Sequence, residues 1–296
     1  MRGISRTNPL EAAGALGMAA AAVPHARSLL AASAADAVLG GGGYVAAPVG
    51  LAAAMLRIPL VLTEADSHLG LANRALAPFA RRVCLSFPIA GREGGRYRVT
   101  GRPIAPVPRD RAAARDSFGL GSEEQCVLVF GGSLGARSIN HAAVEAFADR
   151  SFRVLHVCGS RDHADLASRE LREGYELIEL LPPARFAEAL IAADLVVARA
   201  GGSVFEIAAS GDPAILVPYP HAAADHQEGN AEWMARGGAA VVIPDGELDA
   251  ARLAAEADAL LGDRERLAAM AAASRALARP DAARDVAGEL LAAVGG

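Results

Sequence analysis

The sequence predicts an α/β protein of two doubly wound, Rossmann-like domains, the N-terminal one incomplete. Short runs rich in Val, Leu and Ile alternate with longer Ala/Leu segments along the chain, the pattern of parallel strands joined by crossover helices. With 296 residues the chain exceeds a single small domain and suits two domains of roughly 100–200 residues each. Between residues 101 and 108, three prolines and a glycine interrupt the alternation with little that could form a core, so this stretch reads as an interdomain linker.

In the first domain, residues 1–108, β-rich runs predict strands at 37–39, 60–63, 82–86 and 97–100, and Ala/Leu segments predict helices at 10–32, 48–57 and 69–80. A doubly wound sheet normally carries about five or six strands, so this one is short of its opening strands. Segment 3–9 is polar and turn-rich where a domain would open with a central strand, which predicts a truncated or misplaced start. The second domain, 109–279, opens with Cys126 to Phe130, a continuous apolar run that stops at Gly131 and Gly132; such a run is a parallel strand buried on both faces. Further strands fit 153–158, 176–179, 195–198, 214–218 and 240–243, each separated from the next by helix-compatible sequence. Helices at 248–261 and 264–278 follow, and Pro280 and Asp281 start a last helix to 294, with 280–296 expected to pack back on the first domain.

Composition narrows the function classes. Apolar types make up 52% of the chain, mostly Ala, Leu and Val, which suits close-packed helices over a buried sheet. No run reaches the roughly 18 apolar residues of a membrane span, and no signal-like segment opens the chain, so a cytoplasmic location is expected. The net charge of −5 and the lack of a basic run with interleaved aromatics exclude nucleic acid as an expected partner. Cys84, Cys126 and Cys158 have no metal-ligand spacing and read as reduced core residues; neither a metal nor a cofactor is expected. The chain has no lysine, a bias that removes Arg-rich stretches as functional hints.

Glycine-rich turns at the ends of predicted strands are where α/β proteins bind ligands. Gly40 to Gly43, followed by Tyr44 to Pro48, is either a phosphate-facing helix start or a plain tight turn. Gly131-Gly132-Ser133-Leu134-Gly135-Ala136 can hold a diphosphate, with Ser133 as a simple N-cap the alternative. Its glycine spacing is not that of the dinucleotide fingerprint, and a P-loop needs a lysine, so NAD and ATP are disfavoured. Arg199-Ala200-Gly201-Gly202-Ser203-Val204-Phe205-Glu206 fits a nucleotide pocket in which Glu206 meets a ribose diol, or a capping box of Ser203 with Glu206. Asp225-His226-Gln227-Glu228-Gly229-Asn230-Ala231 offers donors and acceptors for sugar hydroxyls, or merely starts a surface helix.

In this order the four motifs resemble the MurG family, the UDP-N-acetylglucosamine:undecaprenyl-pyrophosphoryl-muramyl-pentapeptide N-acetylglucosaminyltransferases, over nearly the whole chain. The resemblance implies a GT-B fold, two Rossmann-like domains facing a cleft. It implies inverting transfer of N-acetylglucosamine from UDP-N-acetylglucosamine to the lipid-linked muramyl pentapeptide (lipid I to lipid II) in peptidoglycan synthesis. Helix N-termini stabilise the leaving diphosphate without a metal. By this likeness Ser133 contacts the diphosphate, Glu206 the ribose, and Gly202, Ser203 and Gln227 the donor's sugar and phosphates. Backbone near Pro183 meets the uracil, and Gly42, Gly43 and Tyr44 take the acceptor diphosphate.

Three departures stand out. The family's first glycine loop, with its His, has no counterpart after Met1, so no catalytic base is assigned and the expected His lies upstream. Thr63-Glu64-Ala65-Asp66 stands where the family has His-Glu-Gln-Asn, which places Asp66 at a donor-contacting amide. Gly101-Arg102-Pro103-Ile104-Ala105 resembles Gly-Asn-Pro-Val-Arg, so Ala105 replaces the phosphate-contacting Arg and Arg102 substitutes from three residues earlier. The segment 10–30 is apolar on much of its surface, which fits either peripheral attachment to the inner face of the cell membrane or packing on the first sheet. Another UDP-sugar transferase with a glycolipid or natural-product acceptor, and a chain that binds UDP-sugar without turnover, are the competing readings.

Overall fold

The computed structural model describes residues 9–222 and 226–295, without the side chains of residues 9–16, Tyr44 and His226. The chain divides into two compact units, Met1–Pro103 with Asp281–Gly296, and Ile104–Pro280.

The first unit is a parallel sheet of β1 (Val38–Gly40), β2 (Leu60–Glu64), β3 (Arg82–Leu85) and β4 (Tyr97–Val99), side by side in chain order. Helices α1 (Pro9–Ala32), α2 (Gly43–Leu56) and α3 (Leu71–Leu76) belong to the same unit. Two helices differ from their predicted bounds. α2 begins at Gly43 rather than at Pro48, which sits inside the helix, because its start is supplied by Gly42 as N-cap and not by the proline. The segment predicted as one helix over 69–80 breaks after Leu76 into a 3-10 turn, Ala77–Phe79, where Pro78 withholds the N–H that would continue the α-helix. The last helix, α12 (Ala282–Gly295), lays Val286, Leu290 and Ala293 against Val61 and Cys84 of this sheet. Its Glu289 is clamped by Arg82, whose Nε lies 2.8 Å away, and by Arg98.

The second unit holds a six-stranded parallel sheet in the order β10-β9-β8-β5-β6-β7. Its strands are β5 (Cys126–Phe130), β6 (Arg153–Val157), β7 (Tyr175–Ile178), β8 (Leu195–Ala198), β9 (Ala214–Leu216) and β10 (Ala240–Val242). Every residue of β5, β8 and β9 is buried, as continuous apolar runs in a sheet covered on both faces require. The chain steps outward from β5 to β7, then returns so that β8 pairs with the other side of β5. That reversal is the topological switch point of a doubly wound fold, the crevice where ligands bind beyond the strand ends.

Helices α4 (Arg111–Ser117), α5 (Arg137–Ala146), α6 (His163–Ala167), α7 (Pro183–Ala192), α8 (Val204–Ser210), α9 (His226–Arg236), α10 (Ala250–Leu261) and α11 (Arg264–Leu277) complete the unit. α10 starts two residues later than predicted because Asp249 is its N-cap and accepts the Arg252 N–H at 2.7 Å. Cys84, Cys126 and Cys158 are all free and buried.

Candidate functional site

The site is built at the switch point, where the loops after β5 and β8 leave adjacent strands. After Phe130 the chain makes a tight turn, with the Gly135 N–H donating to the Gly132 carbonyl at 2.9 Å, and enters α5. Gly135 has φ +78°, and a Cβ there would lie 1.9 Å from the Cys158 carbonyl oxygen, so only glycine fits. The N-cap of α5 is Ala136, which makes no side-chain cap, and Ser133 is therefore not an N-cap. The first N–H groups of this ten-residue helix lack a side-chain cap, and the Ser133 hydroxyl is exposed with no protein partner among the described residues.

A cavity of about 320 Å³ opens beside this turn within the second unit. Gly132 and Ser133 line it from the β5 loop, Ser203 and Glu206 from the β8 loop, and Pro183 from the start of α7. Ser203 holds the N-cap position of α8 but makes no cap hydrogen bond, so the capping box that its spacing to Glu206 allows does not form through its hydroxyl. Glu206 is half-buried and faces the cavity.

The remaining walls are apolar: Val157, Leu180, Leu181, Phe186 and Leu190, with Phe130 set edge-on to Phe186 at 4.9 Å between ring centroids. Such walls suit a flat, uncharged ring, and Ser133, Ser203 and Glu206 in the same lining offer hydroxyl and carboxylate partners for polar groups attached to it.

The β8 loop is fastened from behind. Arg199 donates from Nη1 to the Asp245 carboxylate at 2.6 Å and from Nη2 to the Ser138 hydroxyl at 2.8 Å, and Ser138 donates to the same Asp245 oxygen at 2.6 Å. Its Nη1 also reaches the Val217 and Pro218 carbonyls. One guanidinium thus joins the start of α5 to the loops after β8, β9 and β10. Gln227 lies beside the β8 loop, 3.9 Å from where a Cβ on Gly201 would stand, and its Oε1 accepts the Tyr219 N–H at 3.0 Å. Asn230 donates to the Ala200 carbonyl at 3.0 Å. Gly202 sits in the same turn, its carbonyl accepting the Phe205 N–H.

Gly42, Gly43, Tyr44, Asp66 and Arg102 belong to the first unit. Gly42 and Gly43, with φ of +81° and +71°, begin α2 without a side-chain cap. The side chains of Tyr44 and His226, and all of Asp225, lie outside the described residues. Asp66 donates its N–H to Oε1 of the buried Glu64 at 3.2 Å, whose Oε2 takes the Gly70 N–H at 2.8 Å and the Asn73 amide at 2.9 Å. Arg102 is half-buried at the end of the unit. Sequence reasoning missed the apolar walls of the cavity and the fastening around Arg199. The consecutive Pro182 and Pro183 after a strand were the available signal for the first, since they force a helix start there.

The chain matches the Glycosyltransferase family 28 N-terminal domain over residues 11–85 and the Glycosyltransferase family 28 C-terminal domain over residues 126–286. The UDP-N-acetylglucosamine--N-acetylmuramyl-(pentapeptide) pyrophosphoryl-undecaprenol N-acetylglucosamine transferase of Moorella thermoacetica is 44% identical over 263 residues, 83% of this chain and 71% of that one. The protein of the same name from Rubrobacter xylanophilus is 42% identical over 287 residues, 93% of this chain and 82% of that one. The crystal structure of Acinetobacter baumannii MurG superposes with a TM-score of 0.75 at 29% identity, over 92% of this chain and 77% of that one. With both glycosyltransferase domains matched and its identity to these relatives spread over most of its length, the chain belongs to the MurG family of GT-B glycosyltransferases.

Proposed function

We propose that the protein transfers N-acetylglucosamine from UDP-N-acetylglucosamine to undecaprenyl-pyrophosphoryl-N-acetylmuramyl-pentapeptide, the step from lipid I to lipid II in peptidoglycan synthesis. The observation that carries this reading is the length of the match: 263 residues at 44% identity exceed either unit alone, so the acceptor side is included as well as the donor side. A transferase that shared only the donor half would not show this.

The second unit supplies the chemistry of departure. The apolar slot takes the uracil, with the backbone at Pro183 along its edge, and Glu206 accepts from the ribose hydroxyls. Ser133 and the uncapped start of α5 meet the diphosphate; Gly202, Ser203 and Gln227 serve its phosphates and sugar. As the 4-hydroxyl of the muramyl sugar attacks C1 with inversion, the bond from C1 to the diphosphate oxygen breaks and its electron pair leaves with UDP. Amides already aimed at that oxygen stabilise the growing charge without reorganising. The proton of the attacking hydroxyl passes to a base that none of the described residues is assigned to be. Gly42, Gly43 and Tyr44 at the start of α2 are assigned to the acceptor diphosphate, and Asp66 and Arg102 keep the donor role that the family resemblance gives them.

The lipid acceptor calls for a membrane surface, and we extend the proposal to peripheral attachment at the inner face of the cell membrane. No described helix is long and apolar enough to cross a bilayer. On α1, Met18 and Leu29 are both more than half exposed and stand eleven residues apart, three helical turns, so they share a face. On α2, Leu51 and Met55 are exposed four residues apart.

The test is an acceptor assay with labelled UDP-N-acetylglucosamine. Lipid-linked muramyl pentapeptide should become labelled; labelling of a natural-product scaffold in its place removes the assignment, and saturable UDP-sugar binding with no product from any acceptor reduces it to a binding protein. Co-sedimentation with anionic phospholipid vesicles checks the attachment separately, and protein that stays in the supernatant overturns it.

A further inference from the structure

A buried polar chain runs beneath the Gly131–Ala136 turn and has no part in the chemistry above. Asn140, one turn into α5, is fully buried, a placement that destabilises the fold unless its amide is paired. Its Nδ2 donates to the Cys158 carbonyl at 2.9 Å and to the Asp162 carboxylate at 3.0 Å. Because both partners are acceptors, the amide orientation is determined, and Oδ1 is the acceptor facing His156 Nε2 at 3.1 Å. The imidazole proton is therefore on Nε2, and Nδ1 accepts from the Tyr175 hydroxyl at 2.8 Å.

The groups held by Asn140 are the ones that bear on the turn. Cys158 and Gly159 press against Gly135: a Cβ on Gly159 would stand 2.1 Å from the Gly135 nitrogen, the counterpart of the clash at Gly135 itself. The Ser160 N–H donates to the Ser133 carbonyl at 3.3 Å. Asp162 also accepts from Arg137 Nε at 3.1 Å, on the residue that follows the turn. The loop after β6 and the turn after β5 thus form two layers, and Asn140 pins the lower layer from inside the core.

We propose that Asn140, oriented by His156 and Tyr175, is a positioning residue for donor binding: it holds the loop after β6 so that the Gly131–Ala136 turn keeps its diphosphate-binding shape. This rests on the reading that Ser133 and the start of α5 meet the diphosphate. It adds residues from α5, β6 and β7 that touch no part of the ligand. The apolar slot for the base lies on other side chains, so the effect of loosening this chain falls on the phosphates and not on the nucleoside.

That selectivity is the test. UDP affinity is measured by calorimetry and uridine affinity by NMR titration, in the full chain, for the parent and for Asn140→Ala, His156→Leu, His156→Gln and Tyr175→Phe. Losing a buried hydrogen bond in this chain should weaken UDP about tenfold in Asn140→Ala and His156→Leu, while uridine changes by less than about twofold. His156→Gln keeps a donor at the Nε2 position and should recover most of the UDP affinity; Tyr175→Phe should lose only a few-fold. Cooperatively melting Asn140→Ala or His156→Leu protein that keeps the parent's ratio of UDP to uridine affinity overturns the proposal, whether both affinities are unchanged or both are weakened equally. Should Asn140→Ala fail to fold, His156→Leu set against His156→Gln still decides between these outcomes. If the parent itself binds UDP no better than uridine, the diphosphate reading falls first, and that result is distinct from a failure of the positioning role.

Discussion

Both units place a glycine-rich turn between a parallel strand and a helix, yet the two turns are built differently. In the second unit the turn leaves β5, where the strand order reverses toward β8, and the reversal separates neighbouring loops enough to open a cavity. In the first unit the described strands run β1-β2-β3-β4 without reversal, and the turn leaves β1 at the edge of that sheet. The glycines differ too. Gly135 is wedged against backbone, whereas a Cβ on Gly43 would meet nothing within 4 Å. One glycine is required by close approach and the other by its dihedral angle alone, so glycine count says less about a binding turn than strand order does.

Alanine at these two positions gives the largest effect expected here. Gly135→Ala combines a left-handed backbone with a backbone clash that no side-chain rotation relieves, and should cost roughly 3 kcal/mol or more and reduce UDP affinity by over tenfold. Gly43→Ala meets only the dihedral penalty, about 1–2 kcal/mol, and should leave UDP binding as it is. Denaturant unfolding and calorimetry on both variants check this. Equal destabilisation by the two would erase the distinction between the turns.

The same difference explains what could be read from the sequence. The central strands of the second unit were legible because they are short, continuous apolar runs: β5 stops at Gly131 and β8 at Arg199, and both fall at the expected residues. Ser133, Ser203 and Glu206 were legible because the chemistry of a turn is local in sequence. Asn140, His156 and Asp162 were not, since each pairs with residues 16 to 22 positions away or more distant still, across strands whose adjacency only the folded sheet supplies. A faint trace existed: Asn140 is a polar residue on the helix face that Ile139 and Ala143 mark as buried. Pro78 left a clearer one in the first unit, where a proline inside a helical stretch should have split the helix.

Acid sharpens the contrast next. Burial lowers the His156 pKa from 6.5 to about 4, so the unfolded chain binds a proton there at pH values where the folded one does not. Stability from this site is complete above the unfolded pKa and is lost as pH falls toward 4, by roughly 3 kcal/mol in all. Burial raises the Asp212 carboxyl in the same unit from 3.8 to about 7, which acts in the opposite sense over this interval. The readout is therefore a difference: in thermal melts between pH 7 and pH 4 the parent should lose stability relative to His156→Gln. A parent profile that runs parallel to that of His156→Gln would mean that water reaches the imidazole and that the polar chain is not sealed.

The smallest effect belongs to the first unit and runs through Glu289. Burial disfavours its charge, but hydrogen bonds from Arg98 and Arg82 outweigh that and hold its carboxyl below the ordinary value of 4.5. The folded-state pKa is depressed, so this contribution is present above pH 4.5 and disappears as pH falls through the lower folded value. Both guanidinium groups reach solvent, which screens the pair, and Glu289→Ala should cost only about 1 kcal/mol. The expected readout is local: amide exchange should quicken along α12, β3 and β4, with UDP affinity unchanged. If exchange quickens equally around β5 and β6, Glu289 supports more than the sheet it touches, and the two units do not respond to substitution as separately as their cores suggest.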